Sequence, residues 1–369
     1  MRIGIITLPL HTNYGGILQA YALQTVLERA GHDVRLIEER RGPLRLPLWK
    51  APLSYGKRIV KNLAGKPFPV FYEQKVNRED PVTRQHTDKF IGKYINRRVV
   101  ESFADIREGD FDAIVVGSDQ IWRPMYFHGI EHAYLDFAEG WAIRRVAYAA
   151  SFGTDEWEYT ARQTRRCGAL LRGFDAVSVR EASGVGLCRE HFGVEARQVL
   201  DPTMLLTAAD YMKLVEAAAT PASPGTLLCH ILDETPAKAA LAYRIARERG
   251  LTPFRVNSRV EDICAPLAER IQPPVEQWLR GFMDAEFVVT DSFHACVFSI
   301  LFGKPFIAIG NAGRGLSRFK SLLAMLGLES RLVAASLAST PTGDIDWPAV
   351  SRRLAAMREE ANAFLTKSI

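Results

Sequence analysis

The sequence predicts an α/β protein built from two Rossmann-like domains. Three observations carry this. The chain has 369 residues, too many for one hydrophobic core and suited to two domains of ordinary size. Short apolar, β-branched runs alternate with helix-period stretches, the pattern of parallel sheets with helical crossovers. Strand after strand also ends in polar residues just before the next helix, and open α/β sheets bind ligands at that carboxyl edge.

The first unit is a strand over residues 2–7, a loop over 8–16 and a helix over 17–30 that stops at Gly31, then a strand over 34–37. Gly15 and Gly16 open that helix. Two readings stand: backbone N–H groups approaching an anion at a helix N-terminus, or a tight turn with no ligand. Neither Gly-x-Gly-x-x-Gly nor a P-loop is present, so no dinucleotide or ATP site is supported. Further strands are expected over 111–116, 145–150 and 175–179. They are followed by the polar turns Gly117-Ser118-Asp119-Gln120-Ile121-Trp122, Ser151-Phe152-Gly153 and Arg180-Glu181-Ala182-Ser183.

Residues 203–223 read as the passage between domains. This puts the first domain at 1–207 and the second at 208–369. The second restarts with strand 226–232, helix 236–250 and strand 252–256. Helix 276–285 leads into strand 287–291; helix 296–302, strand 305–309, a Gly-rich loop over 310–315 and helix 316–326 follow. A last helix over 347–365 is long enough to pack back across both domains.

The densest polar cluster is Thr290, Asp291, Ser292 and His294, at the end of the strand that starts at Phe287. His294 is the only side chain there able to carry a proton either way near neutral pH. It reads as an acid–base group or as a histidine capping the next helix.

Composition bounds the rest. Hydrophobic content of 47% and charged content of 24% describe a soluble globular protein. Cysteines 167, 188, 229, 264 and 296 are odd in number and form no Cys-x-x-Cys, so neither a zinc knuckle nor a disulfide framework is indicated. No targeting segment is visible. The longest apolar window, 295–309, is broken by Gly303-Lys304-Pro305 and falls short of the ~20 residues of a membrane span. A cytoplasmic protein, placed at the inner face of the membrane, is the expectation. Net charge is +5, yet residues 41–66 hold seven basic residues and no acid, so the rest of the chain is net acidic. This excludes a general nucleic-acid-binding face. The excursion over 42–81, with a short amphipathic helix near 54–63, reads as a patch for anionic membrane or as a solvated insertion.

The stretch Asn13-Tyr14-Gly15-Gly16-Ile17-Leu18-Gln19-Ala20-Tyr21-Ala22-Leu23 resembles the polysaccharide pyruvyl transferase family. The resemblance recurs at residues 116–122, 148–153 and 178–183, at Asp201-Pro202-Thr203, and from Thr290 to Phe306. It implies two Rossmann-like domains facing across a cleft, as in GT-B glycosyltransferases. It also implies transfer of a pyruvyl group from phosphoenolpyruvate to a glycan or lipid-linked saccharide, forming a ketal. Neither a metal nor a cofactor beyond that co-substrate is implied.

On this resemblance His294 is the expected acid–base residue, and Asp119 the group that deprotonates the acceptor hydroxyl. Arg180 is the expected donor clamp. Many members carry Arg-x-His where this chain has Ser292-Phe293-His294, so donor charge is expected from Lys304 or Arg318, with Arg314 a weaker option. Asn13, Tyr14, Gly15, Gly16, Ser118, Gln120 and Trp122 are the expected acceptor-side residues, Trp122 stacking on a sugar ring. For residues 118–122 the other reading is turn chemistry plus a core tryptophan. Two competing functions fit the same architecture: a glycosyltransferase using a nucleotide sugar, and a non-catalytic glycan-binding relative.

Overall fold

A computed structural model of the chain describes residues 1–40, 42–310, 315–336 and 343–369. The first domain runs β1 (Arg2–Ile6), α1 (Tyr14–Arg29), β2 (Asp33–Glu39), α2 (Ala51–Leu63), α3 (Tyr72–Thr83), α4 (Gln85–Tyr94), β3 (Arg97–Val100) and β4 (Ala113–Val116). It continues through β5 (Arg144–Ala150), α5 (Ala161–Leu171), β6 (Ala176–Val179), α6 (Ala182–Leu187) and β7 (Arg197–Gln198). The second runs α7 (Ala208–Ala217), β8 (Leu227–His230), α8 (Pro236–Arg249), β9 (Pro253–Phe254), α9 (Leu267–Arg270), α10 (Val275–Asp284) and β10 (Phe287–Thr290). It ends with α11 (Phe293–Leu301), β11 (Phe306–Ile309), α12 (Leu316–Leu326), β12 (Leu332–Val333) and α13 (Trp347–Ser368).

Every described strand pairing is parallel. The first sheet has the order β3-β2-β1-β4-β5-β6-β7, the second β12-β11-β10-β8-β9. Strand order reverses between β1 and β4 in one sheet and between β8 and β10 in the other. Such reversals open a crevice at the carboxyl ends of the strands, because neighbouring connections leave to opposite faces. The central strands β4, β8, β10 and β11 are buried throughout, which is why they read as unbroken apolar runs. The expected architecture, two Rossmann-like domains facing across a cleft, is the one found.

The domains share a core. One hydrophobic cluster runs from Ile17 and Leu18 of α1 through Tyr211 of α7 to Trp278 of α10 and Phe298 of α11. Tyr211 meets Phe298 edge-on at 4.8 Å. The passage over 203–223 is therefore not a plain linker: it contains α7, started by a reciprocal cap between Thr207 and Asp210. Helix α13 does pack back across both domains. Arg353 meets Gly327 at the end of α12, Arg358 donates to Met204 O and Leu206 O at 2.8 and 3.1 Å, and Phe364 lies on Tyr148. The five cysteines are free, four of them buried. Among the described residues no helix is long and apolar enough to cross a membrane.

Candidate functional site

The two sheet reversals face each other, and His294 stands between them. It is the second residue of α11 and 7% exposed. The cap of that helix is Ser292, whose hydroxyl accepts from Ala295 N, so the capping reading of the histidine falls away. Nε2 of His294 lies 3.6 Å from Asp201 Oδ2 of the first domain, an ion-pair distance rather than a hydrogen bond. On the other side the ring presses on Gly15. A Cβ there would fall 2.0 Å from Nδ1, so only glycine leaves room for the imidazole. The N-termini of α1 and α11 thus converge on one histidine, and both present partial positive charge.

Asp201 sits in a buried cluster. Arg180 donates to Asp201 Oδ2 at 2.8 Å and to Asp119 Oδ1 at 3.3 Å, with Glu181 Oε2 at 3.9 Å. Burial works against the Asp201 charge, but His294, Arg180 and Thr203 hold its carboxyl well below the usual carboxylate range. Burial likewise opposes the charge on Arg180, and Asp201, Asp119 and Glu181 outweigh it, so the guanidinium stays charged. Glu181 Oε1 accepts from Ser151 Oγ, Phe152 N and Gly153 N. Phe293 of α11 lies under the Arg180 guanidinium at 4.5 Å and near Arg318 at 5.7 Å, a cation–π contact from one domain to the other.

The rest of the cluster that ends β10 works inward. Thr290 Oγ1 donates to His230 O. Asp291 accepts from Leu232 N, Asp233 N and Lys238 Nζ, which fixes the loop after β8 and so one wall of the cleft.

A cavity of about 730 Å³ opens above this floor. Its lining includes Asn13, Gly15, His230, Arg255, Ser292 and His294. Arg255 and Arg259 are exposed cations of its lining, paired with Glu234 and with Asp262 and Glu269. On the first-domain side two smaller hollows, about 160 and 200 Å³, share Leu8, Pro9 and Tyr126; the smaller is lined by Asp119, Asn13 and Gly16, the larger by Glu38 and Glu39.

The structure brings His294, Ser292, Gly15, Gly16, Asn13, Asp119, Arg180 and Arg318 together and relocates other expected residues. Trp122 is wholly buried, stacked on Tyr134 with its Nε1 on Ala133 O, so it cannot stack on a sugar; it is the core tryptophan. The exposed aromatic ring on this edge is Tyr126. Ser118 is spent internally, its N on Gln19 and its hydroxyl on Ala149 O. Gln120 accepts from Arg123 and lies against Gly153. The Tyr14 ring lines the cavity, but its hydroxyl crosses to Pro273 O at 2.8 Å.

Lys304 precedes β11, at the opposite edge of the sheet from the cleft, and donates to Met283 O. Arg180 faces internal carboxylates rather than the cavity. Arg318 is also buried, and burial beside Arg180 lowers it to about 10. Arg314 lies outside the described residues. Asp201, Glu181 and Gln19 lie in the family-like stretches without an expected site role, and His230 is unmarked in the sequence. The signal for Asp201 was present, a carboxylate closing a strand, but only the fold reveals that it meets His294.

Fold and site define a two-domain α/β protein with a histidine–carboxylate pair at facing helix N-termini. The polysaccharide pyruvyl transferase family matches residues 13–313, and the chain belongs to it. No curated protein matches it in sequence. Among solved structures it is similar to the UDP-GlcNAc 2-epimerase of Methanocaldococcus jannaschii (14% identity, 97% of this chain, 93% of that one, TM-score 0.49). It is also similar to that of Neisseria meningitidis (9%, 100%, 94%, 0.48) and to E. coli ADP-heptose LPS heptosyltransferase II (11%, 98%, 99%, 0.38). At these scores the likenesses carry no argument about this chain.

His230 gives the site a pH signature. Burial lowers it to about 4, against 6.5 for a free histidine. Below pH 6.5 the unfolded chain takes up a proton that the folded chain refuses, so stability falls as pH drops from 6.5 towards 4. At pH 4 the loss is about 3 kcal/mol, and at pH 7.5 it is absent. Replacing His230→Gln removes this slope while leaving the acid response of Asp201 in place. Urea unfolding across that range should show the wild type losing about 3 kcal/mol more than the variant between pH 7.5 and pH 4; equal losses would contradict it.

Proposed function

We propose that the protein transfers a pyruvyl group from phosphoenolpyruvate to two hydroxyls of a saccharide, forming a cyclic ketal. The observation that carries this is His294, lodged between the N-termini of α1 and α11 on the floor of the interdomain cavity. Phosphoenolpyruvate is a compact trianion. Two helix ends offer it backbone donors, which suits a chain with Ser292 where an arginine is usual. Arg255 and Arg259 can swing from their exposed partners towards its phosphate.

In the reaction His294 gives a proton to the methylene carbon, and C2 becomes cation-like. The first sugar hydroxyl attacks C2 and gives up its proton, phosphate departs, and the second hydroxyl closes the ring. The methyl group keeps the proton from His294, one hydroxyl proton reloads the imidazole and the other leaves on phosphate, so the histidine is restored. Asp201 keeps the ring oriented across the domain boundary. Asp119, beside the first-domain hollow, is the base for the hydroxyl, and Tyr126 is the platform for the sugar ring. A lipid-linked saccharide is the acceptor class that a basic surface favours.

The test is phosphate release from phosphoenolpyruvate with and without a diol-bearing saccharide acceptor. Release should require the acceptor. His294→Ala should lower kcat by roughly 10²- to 10⁴-fold. Acceptor-independent release, or an unaffected His294→Ala protein, would overturn the assignment. Turnover of a nucleotide sugar instead would favour a glycosyltransferase. Tyr126→Ala should raise the acceptor KM about tenfold, the loss of one aromatic contact, and leave the KM for phosphoenolpyruvate unchanged. An unchanged acceptor KM would move the acceptor off this groove.

A further inference from the structure

We infer that α2 is a docking helix for an anionic lipid bilayer. None of its residues is buried. Leu53, Val60 and Leu63 fall within roughly 80° of one another around the helix, and all three are exposed, Leu63 at 84%. Leu48 and Trp49, in the turn that enters α2, are 91% and 79% exposed, and Lys50 Nζ sits over the Trp49 ring at 4.6 Å. Lys50, Lys57 and Lys61 line one flank of this apolar stripe.

The opposite face of α2 is the one that packs. Arg58 is forked onto Glu73, Tyr55 meets Phe71 edge-on, and Asn62 caps Phe68 N. The helix is held by one side and offers the other. An apolar stripe with a lysine flank, free of acids from residue 41 to 66, matches a layer of anionic headgroups over acyl chains: rings and aliphatic side chains sink, ammonium groups stay at the phosphates. A second protein surface would need acids in register with three lysines and would leave Leu48 and Trp49 to cover.

The position gives docking a use. Lys75 of α3 donates to Ile263 O at 2.9 Å, and Cys264 Sγ lies 3.2 Å from Pro67 O. The neighbouring Glu261 and Asp262 line the large cavity. The α2–α3 pair is therefore joined to the cavity rim, and a bilayer under α2 lies beside the cleft mouth. That use, presenting a lipid-linked saccharide, rests on the pyruvyl-transfer reading; the docking itself rests on the surface alone.

The experiment is flotation of the full chain with phosphatidylcholine vesicles and with phosphatidylcholine–phosphatidylglycerol vesicles. The protein should float with the anionic vesicles, far less with the neutral ones, and come off in high salt. The combined change Lys50→Gln, Lys57→Gln, Lys61→Gln should weaken partitioning on the order of 100-fold. Leu53→Ser, Val60→Ser, Leu63→Ser should abolish it. Both variants should keep the wild-type circular dichroism and Tm, since the changed side chains are exposed.

A soluble acceptor should turn over at the same rate in all three proteins. Vesicle binding without any turnover would leave docking standing and remove the reaction. No flotation by the wild type, flotation that survives both variants, or a serine variant that only converts a dimer to a monomer would overturn the docking.

Discussion

The structure turns on one junction, where α11 enters the first domain. Phe293 slides under Arg180, and His294 wedges between Gly15 and Asp201. Each contact joins a residue of one domain to a residue of the other. The junction is costly to build: Arg180, Asp119, Asp201 and Glu181 are all nearly or wholly buried, and a buried charge is tolerated only when its partners are close and well aimed. Arg180 meets that condition by reaching Asp201 and Asp119 together. Its work is therefore to keep Asp201 ionised beside the histidine, not to reach into the cavity.

This arrangement separates rigid parts from adaptable ones. The floor, made of two helix ends, a histidine and a buried carboxylate, is locked by the shared core and by α13. The rim, made of Arg255, Arg259 and their acidic partners, is half-exposed and held only by surface ion pairs. In the proposed reaction the small trianion takes the floor, and the larger saccharide takes the open edge of the first sheet, where Tyr126 and the two hollows lie.

Much of this was legible in the sequence, for a physical reason. Parallel strands buried on both faces must be continuous apolar runs, so β1, β4, β8, β10 and β11 announce themselves, and the polar residues that end them mark the carboxyl edge. His294 stood out because few residue types both sit at such an edge and exchange a proton. What was not legible is what depends on facing partners. Trp122 and Tyr126 are four residues apart in one loop, and only the packing of Tyr134 and Phe152 around Trp122 decides which ring is buried. Lys304 is close to His294 in sequence yet on the far edge of the sheet, because α11 crosses the whole layer between them. The Thr207–Asp210 cap was readable and marks α7, which composition alone presents as a linker.

The most direct measurement of the central claim is the reaction run in D₂O with phosphoenolpyruvate and a saccharide acceptor, the product read by mass spectrometry. If His294 protonates the methylene carbon, the saccharide gains a ketal whose methyl group carries one deuterium from solvent, and the His294→Ala protein forms that product roughly 10²- to 10⁴-fold more slowly. Formation of the deuterated ketal by His294→Ala at the wild-type rate, or gain of a sugar from a nucleotide donor in its place, would contradict the account.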